Sequence, residues 1–159
     1  MRFIEDHSYG RPRMKALSVQ TLSLAVAGTL SWTVAALAAD PAVVEIGMIN
    51  EADGSQLMTL SRGSVHAGPV VFKVMNHSAD EVHEFLVVPT SVDPNAFPIK
   101  PDEPKVDETK LQGITELGDL SPGRSGEMRA TLKPGRYVMF CNQPGHFQAG
   151  MFAILTVIP

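Results

Sequence analysis

Near the C-terminus, Cys141, His146 and Met151 fall at an even spacing of five residues in Tyr-Val-Met-Phe-Cys-Asn-Gln-Pro-Gly-His-Phe-Gln-Ala-Gly-Met. A thiolate, an imidazole and a thioether on one loop form a donor set suited to a soft transition metal. Two His and one Cys with a weak axial Met suit a single copper ion. The second imidazole must come from elsewhere, and Val82-His83-Glu84-Phe85-Leu86-Val87-Val88 carries His83 inside a strand-like run. The residue types therefore predict a mononuclear type 1 copper site, one ion per chain, with His83, Cys141, His146 and Met151 as ligands.

Cys141 is the only cysteine of the 159 residues. In an exported chain it has no partner for an internal disulfide, and a free thiol there is open to oxidation. Burial or a metal must protect it. A buried structural cysteine is the plain alternative, but it leaves His146 and Met151 at their spacing unexplained. His66, in a turn, and His77, just past a strand, read as surface residues rather than ligands. Met48, Met58, Met75, Met128 and Met139 are spread along strands and read as core fillers. An exposed copper(I) site at Met48 or Met58 finds no Met-rich or His-rich tract to support it.

The scaffold that must position these donors reads as all-β. Short runs rich in Val, Ile and Phe are separated by turn residues. The expected strands are Ala42–Asn50, Gln56–Leu60, Pro69–Asn76, Glu84–Pro89, Ser125–Thr131, Gly135–Cys141 and Phe152–Ile158. Turns are expected at Gly54, His66-Ala67-Gly68, Ser121-Pro122-Gly123 and Lys133-Pro134-Gly135. No amphipathic helix of useful length appears. The segment from Thr90 to Gly113 holds Pro94, Pro98, Pro101 and Pro104 and is expected to run over one end of a sandwich, with a short helical turn near Val106–Leu111. It would cover a sheet edge, with partner docking as the alternative.

Ahead of this single domain, 40–159, the leader 1–39 reads as a secretory signal. Lys15 supplies a charged start, Leu17 to Leu37 is apolar, and Ala36-Leu37-Ala38 offers a cleavage site. Met14 is an alternative start. No membrane span is expected to remain after cleavage, and the mature chain would be periplasmic and monomeric. From Ala39 onward nine Lys and Arg face fifteen Asp and Glu, a balance of −6. That acidity excludes a nucleic-acid binder, which needs a basic stripe.

Together, the His83-Glu84-Phe85 segment downstream of Asn76 and the closing Leu-Lys-Pro-Gly-Arg-Tyr…Cys…Pro-Gly-His…Gly-Met pattern resemble the cupredoxins, the small blue-copper proteins. The resemblance covers most of residues 42–159. The Cys-x4-His-x4-Met spacing is similar to that of rusticyanin and of copper-tolerance cupredoxins. It implies a Greek-key β-sandwich of seven to eight strands, with His83 as the strand ligand and Cys141, His146 and Met151 as the loop ligands. It also sets limits. The residues flanking the cysteine are Phe140 and Asn142, not the histidines of a multicopper oxidase, and a binuclear centre would need a second cysteine. The chain therefore reads as a carrier and not an enzyme.

Around the ligands, Glu84 is expected to hydrogen-bond across to Asn142, with its backbone N–H aimed at the Cys141 sulfur. Pro144, Gly145 and Phe147 are expected to form an apolar rim for electron transfer around the His146 ring. The function this implies is one-electron transport between periplasmic partners such as a cytochrome or oxidase. The alternative is copper tolerance, with the chain buffering copper or passing it between a donor and an acceptor.

Overall fold

The computed structural model describes residues 40–159; the leader, with its alternative start at Met14 and cleavage near Ala38, lies outside the described residues. Nine strands follow one another among the described residues: β1 (Ala42–Asn50), β2 (Gln56–Leu60), β3 (Ser64–His66), β4 (Gly68–Asn76), β5 (His83–Pro89), β6 (Thr115–Leu120), β7 (Ser125–Leu132), β8 (Gly135–Phe140) and β9 (Phe152–Ile158). They form a four-stranded sheet, β2-β1-β4-β7, and a five-stranded sheet, β3-β9-β8-β5-β6. Both sheets are mixed, because β1 runs parallel to β4 and β3 parallel to β9. No helix among the described residues is long and apolar enough to cross a membrane.

Alternation explains the four-stranded sheet. In β4, Val70, Phe72 and Val74 point inward while Lys73 faces solvent; in β7, Met128 and Leu132 are buried while Glu127, Arg129 and Thr131 are exposed. One apolar face meets the other sheet, as a period of two requires. The five-stranded sheet is different. In β5 and β8 four successive residues are buried, so Phe-Leu-Val-Val and Tyr-Val-Met-Phe read as continuous apolar runs. Phe85, Val87, Tyr137 and Met139 enter the core between the sheets, whereas Leu86, Val88, Val138 and Phe140 enter a second cluster on the far side.

That second cluster is roofed by the 90–113 segment, which contributes Phe97 and Val106. The expectation that this segment covers a sheet edge is corrected: it lies over the outer face. Two single-turn 3-10 helices, Pro94–Ala96 and Glu108–Lys110, are each capped by an aspartate, Asp93 and Asp107, whose side chain accepts a backbone N–H. Ile99 bridges to Val106 across the segment.

Two strands escaped the sequence reading. β3 has only three residues, and its His66 lies in a strand rather than in the expected turn. β6, Thr-Glu-Leu-Gly-Asp-Leu, is a half-exposed edge strand interrupted by Gly118. Gly118 has φ +82° at a bulge, where the β5–β6 register slips between Phe85 and Leu86. A left-handed glycine of this kind lets one strand bend away from its partner. β6 pairs with β5 from His83 to Val87, whereas β8 pairs only with Leu86 to Pro89. His83 and Glu84 thus reach past the end of β8, next to Cys141.

Candidate metal centre

β8 ends at Phe140, and Cys141 continues its inward face into the core between the sheets with no exposed surface. The chain then turns through 142–150 and returns at Met151. Two backbone bonds close this loop: Cys141 N–H donates to Met151 O at 3.1 Å, and Met151 N–H donates to His146 O at 3.0 Å. Gly150, at φ +107°, lets the turn pass β2, where a Cβ would lie 3.1 Å from the Gln56 carbonyl oxygen. Gln56 N–H in turn donates to Ala149 O at 3.1 Å, and Gly145 N–H donates to Pro104 O at 2.7 Å. The loop is therefore pinned from both sides. Met151 is fully buried in the same core as Cys141.

Three donor atoms converge. His83 Nδ1 lies 3.0 Å from His146 Nδ1, Cys141 Sγ lies 3.4 Å from His146 Nδ1, and 3.8 Å from His83 Nδ1. Metal–nitrogen and metal–sulfur bonds of about 2.0 and 2.3 Å place donors about 3 to 4 Å apart. One ion fits between these three. The outer ring nitrogens carry the argument further. His83 Nε2 lies 2.7 Å from Asn50 Oδ1, and His146 Nε2 lies 3.2 Å from Glu81 Oε2. The Glu81 carboxylate beside Nε2 favours the proton of His146 on that nitrogen, which leaves Nδ1 its lone pair. With Asn50 Oδ1 taking the Nε2 proton of His83, two lone pairs face each other beside a sulfur. Such an arrangement calls for a cation between them.

Electrostatics agree with this placement. Burial, helped by the nearby His146 charge and opposed by Glu81, pushes His83 down to about 4. Burial likewise lowers His146, against the pull of Glu81. Both rings are therefore neutral near pH 7, as metal ligands must be. Burial pushes the Cys141 thiol up to about 11, partly offset by the backbone N–H groups of Gln143 and Glu84. A bound cation would displace that proton and hold the thiolate.

Not every expected neighbour lies where the sequence put it. The Glu84 backbone N–H donates to Cys141 Sγ at 3.3 Å. The bridge from Glu84 to Asn142 is corrected: Asn142 is turned toward the 90–113 segment. Its Oδ1 accepts from Val106 N–H at 2.7 Å, and its Nδ2 donates to Val106 O at 3.1 Å and to Glu108. The Glu84 carboxyl is half-buried instead among acidic neighbours, and burial together with Glu108 and Asp119 raises its pKa. Phe147 is corrected too. Rather than forming a rim, it is buried, stacked on Phe97 with ring centroids 5.5 Å apart and edge-on to Phe140 at 5.6 Å. A phenyl ring beside an apolar cluster gains more from burial than from a place at the surface. Pro144 is exposed and Gly145 half-buried.

Asn50 and Glu81 were missed by sequence reasoning. Asn50 ends β1 and Glu81 sits in the turn before β5, and neither belongs to a spacing pattern. The only hint was proximity, with Glu81 two residues ahead of His83. His66 and His77 are exposed and outside the cluster, and Met48 and Met58 are buried, so neither methionine offers a surface site.

No protein-family model matches the chain, and no curated protein matches it. Solved structures do. Dithionite-reduced auracyanin from the photosynthetic bacterium Roseiflexus castenholzii is 26% identical, with a TM-score of 0.52 over 76% of this chain and 99% of that one. Rusticyanin from Thiobacillus ferrooxidans is 16% identical, with a TM-score of 0.53 over 73% of this chain and 76% of that one. This is a cupredoxin fold. In cupredoxin terms, the loop after β8 and the start of β5 are the parts that meet at the donor cluster. The 90–113 segment is the cover laid over the outer face behind it.

Proposed function

We propose that this chain is a mononuclear type 1 copper protein that carries one electron at a time between redox partners. The observation that carries the reading is the convergence of the two Nδ1 lone pairs on the Cys141 sulfur. His83, Cys141 and His146 would hold the ion, with the Met151 thioether as the weak fourth donor. Copper supplies a one-electron couple when bound by such a set. The likeness to auracyanin and rusticyanin supports the same choice, since the rusticyanin structure is described as that of a copper protein.

What the chain's own residues contribute is rigidity and access. His83 is fixed on a strand and Cys141 at the end of one. The loop bonds to Gln56 and Pro104 hold His146 from both sides. Donors held this firmly need little rearrangement when charge changes. The His146 side chain keeps 15% exposure while His83 is fully buried, so electrons would enter and leave by the His146 edge, with Pro144 beside it. A cytochrome or oxidase is the proposed partner class. Export to the periplasm belongs to this reading and rests on the leader sequence.

Absorption and EPR spectra of the copper-loaded protein, repeated for Cys141→Ser, test the site. Intense visible absorption that disappears in the variant is the expected result; absorption that survives would remove Cys141 from the site. Timing electron transfer to a cytochrome against copper transfer to a chelator tests the role. Faster copper transfer would turn the reading to copper buffering or delivery.

A further inference from the structure

The turn between β4 and β5 is unusually well tied. Asn76, fully buried at the end of β4, donates from Nδ2 to Glu81 O at 2.8 Å and to Leu120 O at 2.9 Å, and accepts Ser78 N–H at 2.8 Å. Ser78 Oγ accepts Glu81 N–H at 2.6 Å and donates to Glu81 O at 3.1 Å. The backbone of Glu81 is thus held by two side chains. Its carboxylate is held as well. Gln56 Nε2 donates to Oε2 at 3.3 Å. Gln56 Oε1 is left buried with no hydrogen-bond partner among the described residues, an arrangement that costs stability. It is retained where the other end of the amide orients Glu81.

Asn50 and Glu81 stand behind the two imidazoles, one to each ring. Asn50 Oδ1 accepts from His83 Nε2, and Glu81 Oε2 lies 3.2 Å from His146 Nε2. The carboxylate side chain is 44% exposed, and it meets His146 on the edge that faces solvent.

We propose that Glu81 is a positioning residue: it fixes the proton of His146 on Nε2, aims Nδ1 at Cys141 and His83, and makes His146 a stronger donor to the oxidised ion. The proposal rests on the copper reading above. A carboxylate behind a ligating imidazole fixes its tautomer and raises its basicity, and losing such a partner typically changes metal affinity 10- to 100-fold. Negative charge next to the ring favours the more positive metal state. Glu81 would thus hold down the reduction potential of a site that its apolar surroundings and thioether would otherwise raise.

Two variants of the full chain separate charge from position. Glu81→Gln keeps an acceptor for His146 Nε2–H and removes the charge; Glu81→Ala removes both. Long-range nitrogen–proton NMR of the metal-free protein should show His146 as one Nε2–H tautomer in wild type and Glu81→Gln, and as a mixture in Glu81→Ala. Loaded with copper, Glu81→Gln should lower the preference for copper(II) over copper(I) about tenfold, equal to a rise of about 59 mV. Glu81→Ala should shift it at least as far and broaden the EPR spectrum into more than one species. A tautomer and a potential both unchanged in Glu81→Ala would overturn the proposal. If wild type takes up copper without thiolate absorption, the copper reading fails, and the metal-free tautomer still decides whether Glu81 positions His146.

Discussion

Along β5 and β8 two apolar clusters share a single sheet, and alternate residues of the same strand belong to different ones. Phe85, Met139 and Cys141 face the four-stranded sheet; Leu86, Val138 and Phe140 face the 90–113 segment. The inner cluster is made by strands on both sides and supplies Cys141 and Met151 directly. The outer one packs aliphatic side chains around four aromatic rings, Phe97, Phe140, Phe147 and Phe152, and supplies no donor. It touches the site only through chain neighbours, since Phe140 precedes Cys141 and Phe147 follows His146. The difference teaches that metal binding and loop support are separable here. One face holds the sulfur, and the other braces the loop that brings the second imidazole.

The sharpest break of that comparison is Cys141→Ser. It should weaken copper binding more than about 100-fold, beyond the loss typical of a supporting contact, while the metal-free fold survives. Metal titration with thermal unfolding of the same samples checks both halves. Next comes Phe140→Ala. Removing a fully buried phenyl that packs edge-on against both Phe97 and Phe147 should cost about 3–5 kcal/mol in denaturant unfolding. Phe97→Ala should fall at the low end of that range, because the space it leaves opens toward the shallow groove beside Ile99 and Gln148. If Phe97→Ala left the rate of copper loss untouched, the bracing role of the outer cluster would have to be given up.

Asn142→Ala should be milder. It leaves Val106 N–H and C=O without their side-chain partners, at a cost of about 1–3 kcal/mol, and should loosen the cover without changing the donor set. Unfolding and the visible spectrum together read the outcome: lower stability with an unchanged absorption maximum. Glu84→Gln should do least to the metal. The N–H···Sγ bond comes from its backbone, and no hydrogen bond joins the carboxyl to a ligand, so the potential should move less than in Glu81→Gln. Stability should move the other way. Because burial raises the Glu84 pKa in the folded chain, the ionised group opposes folding above the ordinary Glu range. The variant should therefore be more stable than wild type near pH 7, and the gain should vanish as pH falls below that range. Equal potential shifts for the two variants would mean that distance-insensitive charge, and not contact with His146, sets the potential.

Much of the fold was legible locally. Three strands, Ala42–Asn50, Gln56–Leu60 and Phe152–Ile158, have the bounds that alternation and turn residues predict, and four more differ at their ends by one residue. β6 was not legible, because an edge strand with Gly118 at a bulge shows neither apolar alternation nor a clean boundary. Phe147 was misjudged for a related reason. A loop beside a ligand looks exposed in sequence, and only the 90–113 segment folding over the outer face turns that ring inward.

The residue types alone determined which donors exist and that a strand-rich chain would carry them, since donor chemistry and period-two burial are properties of neighbours along the chain. Tertiary structure decided what stands behind the donors. Asn50, Gln56, Glu81 and His146 come from four separate stretches, and no spacing rule links them. They meet because the parallel register of β1 with β4 and the closed loop after β8 bring their backbones to one end of the sandwich. A hydrogen bond to the far side of an imidazole requires placement to within a few tenths of an ångström. Only packing of the whole molecule supplies that.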